Sequence, residues 1–407
     1  MSKIRRVYMD HSATTAVDPE VREEMIKFFS EEYGNASQMY TMGQIANAAI
    51  TLARERVAKL IGVQKPQEII FNSGGTEADN TALKGIMLAR KNEKKHMITS
   101  AIEHPAILKT SNYLEQLGIK VTYLPVDEFG LVQLEDLKEA ITKETALVSI
   151  MHANNEIGTI EPIKEIAEIT HDKGAIFHTD AVQTVGKIPI DVEKLGIDLL
   201  SLSSHKLYGP KGVGALYKKQ GIRLEPIMHG GGHEKGYRSG TENVSGIVGL
   251  GKAAELAEKH LPEEMKRLTI MRDQLIDNFL KIEDTRLNGH RTLRLPHNAN
   301  LSFKFVEGEA LILRLDAKGI YASTGSACST KSLSASHVLL AIGLRPEIAH
   351  GSLRLTLGRW TSQEDIDYTL KVVPEVVKEL REMSAFRKET EEYVMSLKDE
   401  HDDHCET

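Results

Sequence analysis

The sequence of 407 residues has only two cysteines, Cys328 and Cys405. Two cysteines exclude a disulfide framework, and they are too few for an all-cysteine zinc or cluster site within one chain. Their scarcity suits a reducing compartment, so a cytoplasmic location is expected. Composition alone says nothing further about the chemistry.

Long apolar runs and an excess of positive charge are also absent. No stretch approaches the ~18 consecutive apolar residues of a membrane-spanning helix. Residues 1–8 are basic but lack the apolar run of a signal peptide. The net charge is −7, whereas a general nucleic-acid binder needs a basic surface. The sequence therefore predicts a globular protein that binds neither membrane nor nucleic acid, with a length that favours two domains.

Short β-rich runs alternate with helix-like segments between about residues 50 and 260. This alternation predicts a largely parallel sheet covered by helices on both faces. The predicted strands are 68–72, 96–100, 120–124, 146–151, 175–179 and 199–203, and the predicted helices include 76–90, 134–141 and 163–171. A long helical pattern over 253–279 leads to a smaller α/β domain. Because ligands of such sheets bind at the carboxyl ends of the strands, we expect a site there.

Two motifs directly follow predicted strands. Ser73-Gly-Gly-Thr-Glu-Ala78 opens a helix whose free N–H groups favour a phosphate, although Thr76 is equally suited to be a simple helix cap. Asp180 and Gln183 follow the strand at 175–179. A carboxylate there keeps a pyridinium nitrogen protonated, and an amide can donate to the phenolic oxygen of the same ring. Capping of the next helix is the alternative for Asp180.

The strongest motif is Ser203-Ser-His-Lys-Leu-Tyr-Gly-Pro-Lys-Gly-Val-Gly214. Lys206 ends a mostly apolar strand, a position that favours a buried amine able to form a Schiff base with an aldehyde cofactor. Ser203 and His205 can reach the phosphate from the same turn. A surface lysine before a Gly-Pro loop is the alternative, which Asp180, one strand–helix–strand unit earlier, disfavours.

Two further residues have chemistry suited to such a site. His104, in Ala101-Ile-Glu-His-Pro-Ala106, can stack on a pyridine ring and shuttle protons, although a structural histidine before proline is common. Cys328 lies in a small, polar segment, residues 322–336, that offers no apolar packing partners. This favours a reactive thiol on a mobile loop over a core cysteine. Mobility suits sulfur that is loaded at one place and delivered at another.

Arg354 stands among apolar residues in Gly351-Ser-Leu-Arg-Leu-Thr-Leu-Gly-Arg359 and therefore needs a partner. A substrate carboxylate and an internal salt bridge are equal alternatives. The loop Arg238-Ser-Gly-Thr-Glu-Asn243 has anion-binding composition. The charged tail contains side chains that can bind a metal ion, His401, His404 and Cys405. Only adventitious metal binding is expected from them.

In this order, the motifs resemble those of the cysteine desulfurases of the NifS/IscS type, a class-V group of the fold-type I pyridoxal 5'-phosphate (PLP) enzymes. The similarity extends from Tyr8-Met-Asp-His-Ser-Ala-Thr-Thr15 to Arg359, and Ser323-Thr-Gly-Ser-Ala-Cys328 is typical of the longer-loop group I. The resemblance implies an α/β, fold-type I PLP-dependent transferase with a mostly parallel seven-stranded sheet. Its implied parts are a large PLP-binding domain (13–260), a smaller α/β domain (1–12 and 261–385), and a C-terminal helix with a charged tail (386–407).

The resemblance also implies roles for individual residues. The catalytic residues are Cys328, Lys206 and His104. PLP is bound by Gly75, Thr76, His104, Asn155, Asp180, Gln183, Ser203, His205, Lys206 and Thr241, the last reaching the partner subunit of a homodimer. The substrate L-cysteine is bound by Asn155 and Arg354. Sulfur leaves as a persulfide on Cys328 for an iron–sulfur scaffold or another acceptor, and Cys328 is a candidate transient cluster ligand; no resident metal is implied.

The sequence departs from the family pattern at several positions. Tyr40 stands where histidine is usual and would alter the cleft entrance, Gly75 replaces a usual alanine, and Glu161 a usual glutamine. Two alternatives remain: another PLP reaction, such as selenocysteine lysis or amino transfer, and a non-catalytic scaffold. Intact Lys206 and Cys328 disfavour the scaffold, while the tethered thiol disfavours amino transfer but not selenocysteine lysis.

Overall fold

A computed structural model describes residues 5–90, 93–324 and 335–384. Within these ranges the strands are β1 Val7–Tyr8, β2 Ile69–Asn72, β3 His96–Ser100, β4 Lys120–Leu124, β5 Thr145–Ser149, β6 Ile176–Asp180, β7 Leu199–Ser203, β8 Gly214–Lys218, β9 Thr285–Leu287, β10 Asn298–Phe303, β11 Ile320–Tyr321 and β12 Ser352–Thr356. The helices are α1 Pro19–Ser30, α2 Thr41–Leu60, α3 Gly75–Ala89, α4 Pro105–Gln116, α5 Leu134–Ala140, α6 Ile163–Asp172, α7 Val244–Phe279, α8 Gly308–Ala317, α9 His337–Ala341, α10 Pro346–Ala349 and α11 Gln363–Met383.

The large sheet has the strand order β2-β8-β7-β6-β5-β3-β4. The strands from β7 to β4 pair in parallel, whereas β8 pairs antiparallel with both β7 and β2. The predicted α/β fold with a mostly parallel seven-stranded sheet is confirmed, and the six predicted strands agree with the observed ones to within two residues. The strand that was not predicted, β8, follows a Gly-Pro-Lys-Gly turn that suggests a loop.

The large sheet has apolar side chains on both faces because helices cover both. On one face α3 and α4 pack against strand residues such as Leu147. On the other, α2, α6 and the first half of α7 pack against residues such as Phe177. Several polar residues of the central strands, among them Ser149, Asp180 and Ser203, stand at the carboxyl ends, where the candidate site lies.

The long helix α7 belongs to two hydrophobic clusters. Its first half, with Leu250, packs on the large sheet, and its second half, with Leu275, packs with β10, β12, α8 and α11. The helix begins at Val244, earlier than predicted, because the Asn243 side chain accepts a hydrogen bond from Gly246 N at 3.1 Å and caps it. The predicted domain boundary at residue 260 falls inside this helix and stays a prediction.

Residues 9–15, which follow β1, contact both the small sheets and the end of the large sheet. Strand β1 pairs in parallel with β11, and β12, β10 and β9 form an antiparallel sheet. A few residues later, Thr15 N donates to His205 O at 2.9 Å, and Tyr208 N donates to Thr15 Oγ1 at 2.9 Å. Residues 9–15 are therefore fixed across the end of β7.

Glu161 is a buried acid at the position where the resemblance leads one to expect glutamine. Its Oε2 accepts a hydrogen bond from Val132 N at 3.1 Å, and its Oε1 has no partner among the described residues. Burial, with the charges of Glu103 and Asp127 added, raises the pKa of Glu161 from 4.5 to about 8. Because the unfolded chain ionises this group at the ordinary pKa, the folded state loses stability as the pH rises between these two values.

The variant Glu161→Gln is expected to abolish this loss, since an amide oxygen still accepts from Val132 N and never ionises. At pH 5 the free energy of unfolding in urea should match that of the unaltered protein. At pH 8.5 the variant should be more stable by on the order of 1–3 kcal/mol. The control is Glu165→Gln, an exposed position on α6, which should change neither value. A gain of equal size at both pH values would contradict the buried-acid explanation.

Candidate active site

A cavity of about 360 Å³ lies at the carboxyl ends of the central strands. Its walls come from the N-terminal ends of α3 and α4, the turns after β6 and β7, residues 12–13, β12 and the start of α9. The residues that line it include Ser12, Ala13, Gly75, Thr76, Asp79, His104, Asn155, Glu156, Asp180, Gln183, Ser203, His205, Lys206, His337 and Arg354. Among the described residues, the structure thus brings together every predicted site residue except Thr241.

Lys206 enters the cavity from a short 3₁₀ turn, Ser204–Lys206, that directly follows β7. Its half-buried amine donates hydrogen bonds to the backbone carbonyls of Ser12 and Ala13, the latter at 2.8 Å. Gln183 Nε2 donates to the same Ser12 carbonyl at 3.1 Å. Sequence reasoning missed this use of residues 12 and 13, because backbone carbonyls leave no signal in side-chain identity.

Asp180 is the last residue of β6 and is buried. Its Oδ1 accepts a hydrogen bond from Val182 N at 2.9 Å within a turn, and no helix begins there before β7, so the helix-capping role that the sequence left open is not present. Burial raises the pKa of Asp180, while the hydrogen bond from Val182 N and the positive charge of Lys206 oppose the shift. A buried carboxylate that borders a cavity is stabilised by a cationic partner, such as a protonated ring nitrogen.

His104 caps α4 and lines the cavity at the same time. Its Nδ1 accepts a hydrogen bond from Ala106 N at 3.1 Å. Because that nitrogen acts as the acceptor, the neutral ring carries its proton on Nε2. Burial lowers the pKa of His104, although the charge of Asp180 opposes the shift. His104 is therefore held as a neutral imidazole with one N–H available as a donor.

The N-terminal end of α3 forms an anion-binding corner of the cavity. A Cβ on Gly75 would lie 2.7 Å from Val182 Cγ2, in the turn that follows β6. A side chain on residue 75 would therefore require Val182 to shift. The free N–H groups of the first helical turn and the hydroxyls of Thr76 and Ser203 suit a phosphate group. His205 Nδ1 lies 3.0 Å from Thr14 Oγ1, and burial lowers the pKa of His205 to about 4, so this ring is neutral.

The site residues fit PLP, a flat pyridine ring with an aldehyde and a phosphate. Lys206 supplies an amine, Asp180 a buried carboxylate and His104 a flat ring, and the start of α3 supplies the anion-binding groups. The cavity volume also matches that of a small-molecule site.

Arg354 is almost fully buried in β12, at 2% exposure. Its Nη2 lies 2.8 Å from Asp10 Oδ1, and its Nη1 donates to Asn155 O at 3.0 Å. The internal salt bridge that the sequence left as an alternative therefore exists. Arg354 and Asn155 also line the cavity, so contact with a substrate carboxylate stays open. The role of Asp10 was missed because its partner is 344 residues away in the sequence.

Cys328 lies outside the described residues, but the residues that flank segment 325–334 contact the cavity wall. Ser352 Oγ donates to Thr324 O at 2.7 Å, and Ser336 Oγ donates to Glu156 Oε2 at 2.5 Å. Next to Ser336, His337 Nε2 lies 3.0 Å from the carbonyl oxygen of Glu103. Sequence reasoning did not single out Glu156 or His337 as residues of the cavity wall.

Thr241 and Tyr40 do not line this cavity. Thr241 is exposed, and its neighbours Gly240 and Glu242 line a separate hollow with Arg238. Tyr40 is the N-cap residue of α2 and is 56% exposed.

The described ranges hold neither a metal-binding cluster nor a membrane-spanning helix. They contain no group of three or more histidine, cysteine or acidic side chains placed to hold a metal ion. None of the helices there combines the length and the apolar character that crossing a membrane requires. The candidate ligands in the tail, His401, His404 and Cys405, lie outside those ranges.

Comparisons with known proteins identify the family of this chain. The aminotransferase class-V family matches residues 7–369. Cysteine desulfurase IscS of Clostridium botulinum (strain Hall) is 56% identical over 383 residues, which cover 93% of this chain and 96% of that protein. The protein of the same name from Methanosarcina thermophila is 55% identical over 380 residues, with 93% and 94% covered.

Solved structures show the same similarity. A NifS-like protein matches with a TM-score of 0.87 and 42% identity, covering 92% of this chain and 100% of that one. SspA in complex with cysteine matches with a TM-score of 0.78 and 37% identity, covering 88% and 100%.

The chain belongs to the class-V aminotransferase family, whose fold and PLP dependence it shares. Within that family it is a member of the cysteine desulfurases of the NifS/IscS type, as the resemblance predicted.

Proposed function

We propose that this chain removes sulfur from L-cysteine with PLP held in the 360 Å³ cavity, leaving L-alanine. The observation that carries the proposal is the convergence of Lys206, Asp180 and His104 on one cavity whose wall also contains Arg354 and Asn155. The names of the relatives, which are cysteine desulfurases, support the same activity.

Each side chain has a role that follows from its position. PLP supplies an aldehyde that links to amines and a ring that stores electrons. Lys206 would hold the aldehyde, and its amine, which lies at the carbonyls of Ser12 and Ala13, is placed to accept the α-proton of the substrate. Asp180 keeps the ring nitrogen protonated. The phosphate is bound by Gly75, Thr76, Ser203 and His205, the phenolic oxygen by Gln183, and the substrate by Asn155 and Arg354.

The sulfur is transferred to Cys328. As a thiolate, Cys328 attacks the substrate sulfur, so that an S–S bond forms and the C–S bond breaks. The electron pair of the broken bond stays with the carbon, which takes a proton to become the methyl group of alanine. His104, with its proton on Nε2, serves as proton donor and acceptor for the thiols. One cysteine thus yields one alanine and one persulfide.

The same proposal includes partners and location. A homodimer would let Thr241 reach the phosphate of the second subunit, and the exposure of Thr241 outside the cavity of its own chain supports this. The persulfide is passed to an iron–sulfur scaffold or another sulfur acceptor in the cytoplasm, with Cys328 a candidate transient cluster ligand.

Incubation of the purified protein with L-cysteine and a thiol reductant should release alanine and sulfide in equal amounts, because each turnover breaks one C–S bond. Amino-acid analysis and a sulfide assay measure the two products. Formation of a keto acid in place of alanine would indicate amino transfer, and turnover of selenocysteine alone would indicate a selenocysteine lyase. Either result would overturn the proposal.

A further inference from the structure

The floor of the cavity contains a carboxyl group that the proposed reaction does not use. Asp79 lies on α3, three residues after Thr76, and therefore on the helix face that carries the phosphate-binding groups. Its side chain is 1% exposed and lines the cavity, and its Oδ1 has no hydrogen-bond partner among the described residues. Such an oxygen is costly to bury as an anion, so its state requires an explanation.

The sheet below Asp79 presents neutral polar groups. His178 precedes Asp180 by two residues on β6 and so faces the same side of the sheet, with its Nε2 3.8 Å from Asp79 Oδ1. His178 Nδ1 lies 2.8 Å from Ser149 Oγ on β5, and its Nε2 lies 3.0 Å from Ser201 Oγ on β7. Burial lowers the pKa of His178 to about 3, so this ring offers Asp79 no positive charge.

The charges around the floor favour Asp180 over Asp79 as the anion. Burial and the negative charge of Asp180 raise the pKa of Asp79 well above its usual range, against a hydrogen bond from Ser201. Asp180 has the positive charge of Lys206 and the hydrogen bond from Val182 N to oppose the effect of its burial. The third acid, Glu103, has its pKa raised to about 8 by burial. Two carboxyl groups in one buried site do not ionise together at neutral pH.

We propose that Asp79 is a positioning residue: as the neutral acid it fills the cavity floor beside Asp180 without a competing charge. The negative charge then stays on Asp180, where it pairs with the ring nitrogen of the cofactor. This inference rests on the proposed pairing of Asp180 with PLP. An uncharged amide of the same shape would serve in the place of Asp79, whereas an empty space would not.

The test compares Asp79→Asn with Asp79→Ala in the holoenzyme. Asp79→Asn should keep the PLP dissociation constant, the visible spectrum between pH 6 and 8, and kcat within about threefold, because shape and neutrality are retained. Asp79→Ala should weaken PLP binding about tenfold or more, because it leaves a void and unpaired polar neighbours in the floor. Rescue by the amide distinguishes a neutral acid from a charged one.

The protonation of Asp79 is measured directly by infrared difference spectroscopy at pH 7. The spectrum of the unaltered protein minus that of Asp79→Asn should contain the C=O stretch of a protonated carboxylic acid. Glu103→Gln is the matched control, a second buried acid that should lose its own acid band without affecting PLP affinity. A carboxylate band in the Asp79 difference spectrum, or an Asp79→Asn variant that loses PLP, would overturn the inference.

Failure of the proposed function has a different signature. If the unaltered protein held no PLP or made no alanine, the proposed function would fail, while the infrared difference would still report the state of Asp79. If PLP bound normally and the difference spectrum contained a carboxylate band, the inference about Asp79 alone would fail.

Discussion

Replacing Lys206 with alanine is expected to abolish the visible absorbance band of the holoenzyme and to lower cysteine turnover by roughly a thousandfold or more. Lys206 is the lysine that lines the cavity at the end of β7, among the described residues, with its amine at the carbonyls of Ser12 and Ala13. Without that amine, PLP has no covalent attachment and the α-proton has no base. The absorbance spectrum after dialysis and an alanine assay measure the two losses separately.

The matched control is Lys211→Ala, an exposed lysine in the loop that follows Lys206. It should retain both the spectrum and the turnover of the unaltered protein. An unchanged spectrum in the Lys206→Ala variant would show that the cofactor is held elsewhere, and the assignment of the cavity would then be wrong.

Replacing Cys328 with serine should separate cofactor chemistry from sulfur transfer. The variant is expected to keep the visible band, because Cys328 is not among the proposed PLP ligands, and to lose alanine and sulfide production by about a thousandfold. A hydroxyl is a far weaker nucleophile than a thiolate at neutral pH, so the substrate sulfur is not removed. Mass spectrometry of the protein after exposure to cysteine should detect one added sulfur atom only when Cys328 is present.

Cys405→Ser provides the control, because it removes the second cysteine of the chain and leaves Cys328. This variant should turn over cysteine normally and gain the added sulfur. Normal turnover by Cys328→Ser would assign the sulfur to another acceptor and remove Cys328 from the mechanism.

The parts of the site that follow strands were predictable from the sequence. Asp180 and Lys206 each stand at the end of a run of buried residues, and parallel strands bring such ends to one edge of a sheet. The glycines before Thr76 indicate that the backbone there can approach a ligand closely, which is also a local signal. These signals lie within a few residues of each side chain, so they can be recognised without knowledge of the fold.

The remaining contacts depend on residues that are distant in the sequence. Asp10 pairs with Arg354, and Ser336 pairs with Glu156, across separations that no local pattern records. The unpaired state of Asp79 Oδ1 likewise depends on which residues the sheet places beneath α3. The helix α7 was predicted to start too late because its cap, Asn243, lies in a glycine-containing loop that suggested anion binding instead.

The pairing of β1 with β11 has a consequence for the order of folding. Val7 lies in register with Ile320, and its N–H donates to Gly319 O at 2.8 Å, so β1 has no partner strand until most of the chain has been synthesised. Contacts between residues so far apart in the sequence form slowly, because the entropy cost of closing the loop comes before the contacts contribute stability. On the ribosome, β1 therefore acquires its strand partner β11 only after all strands of the large sheet have been synthesised.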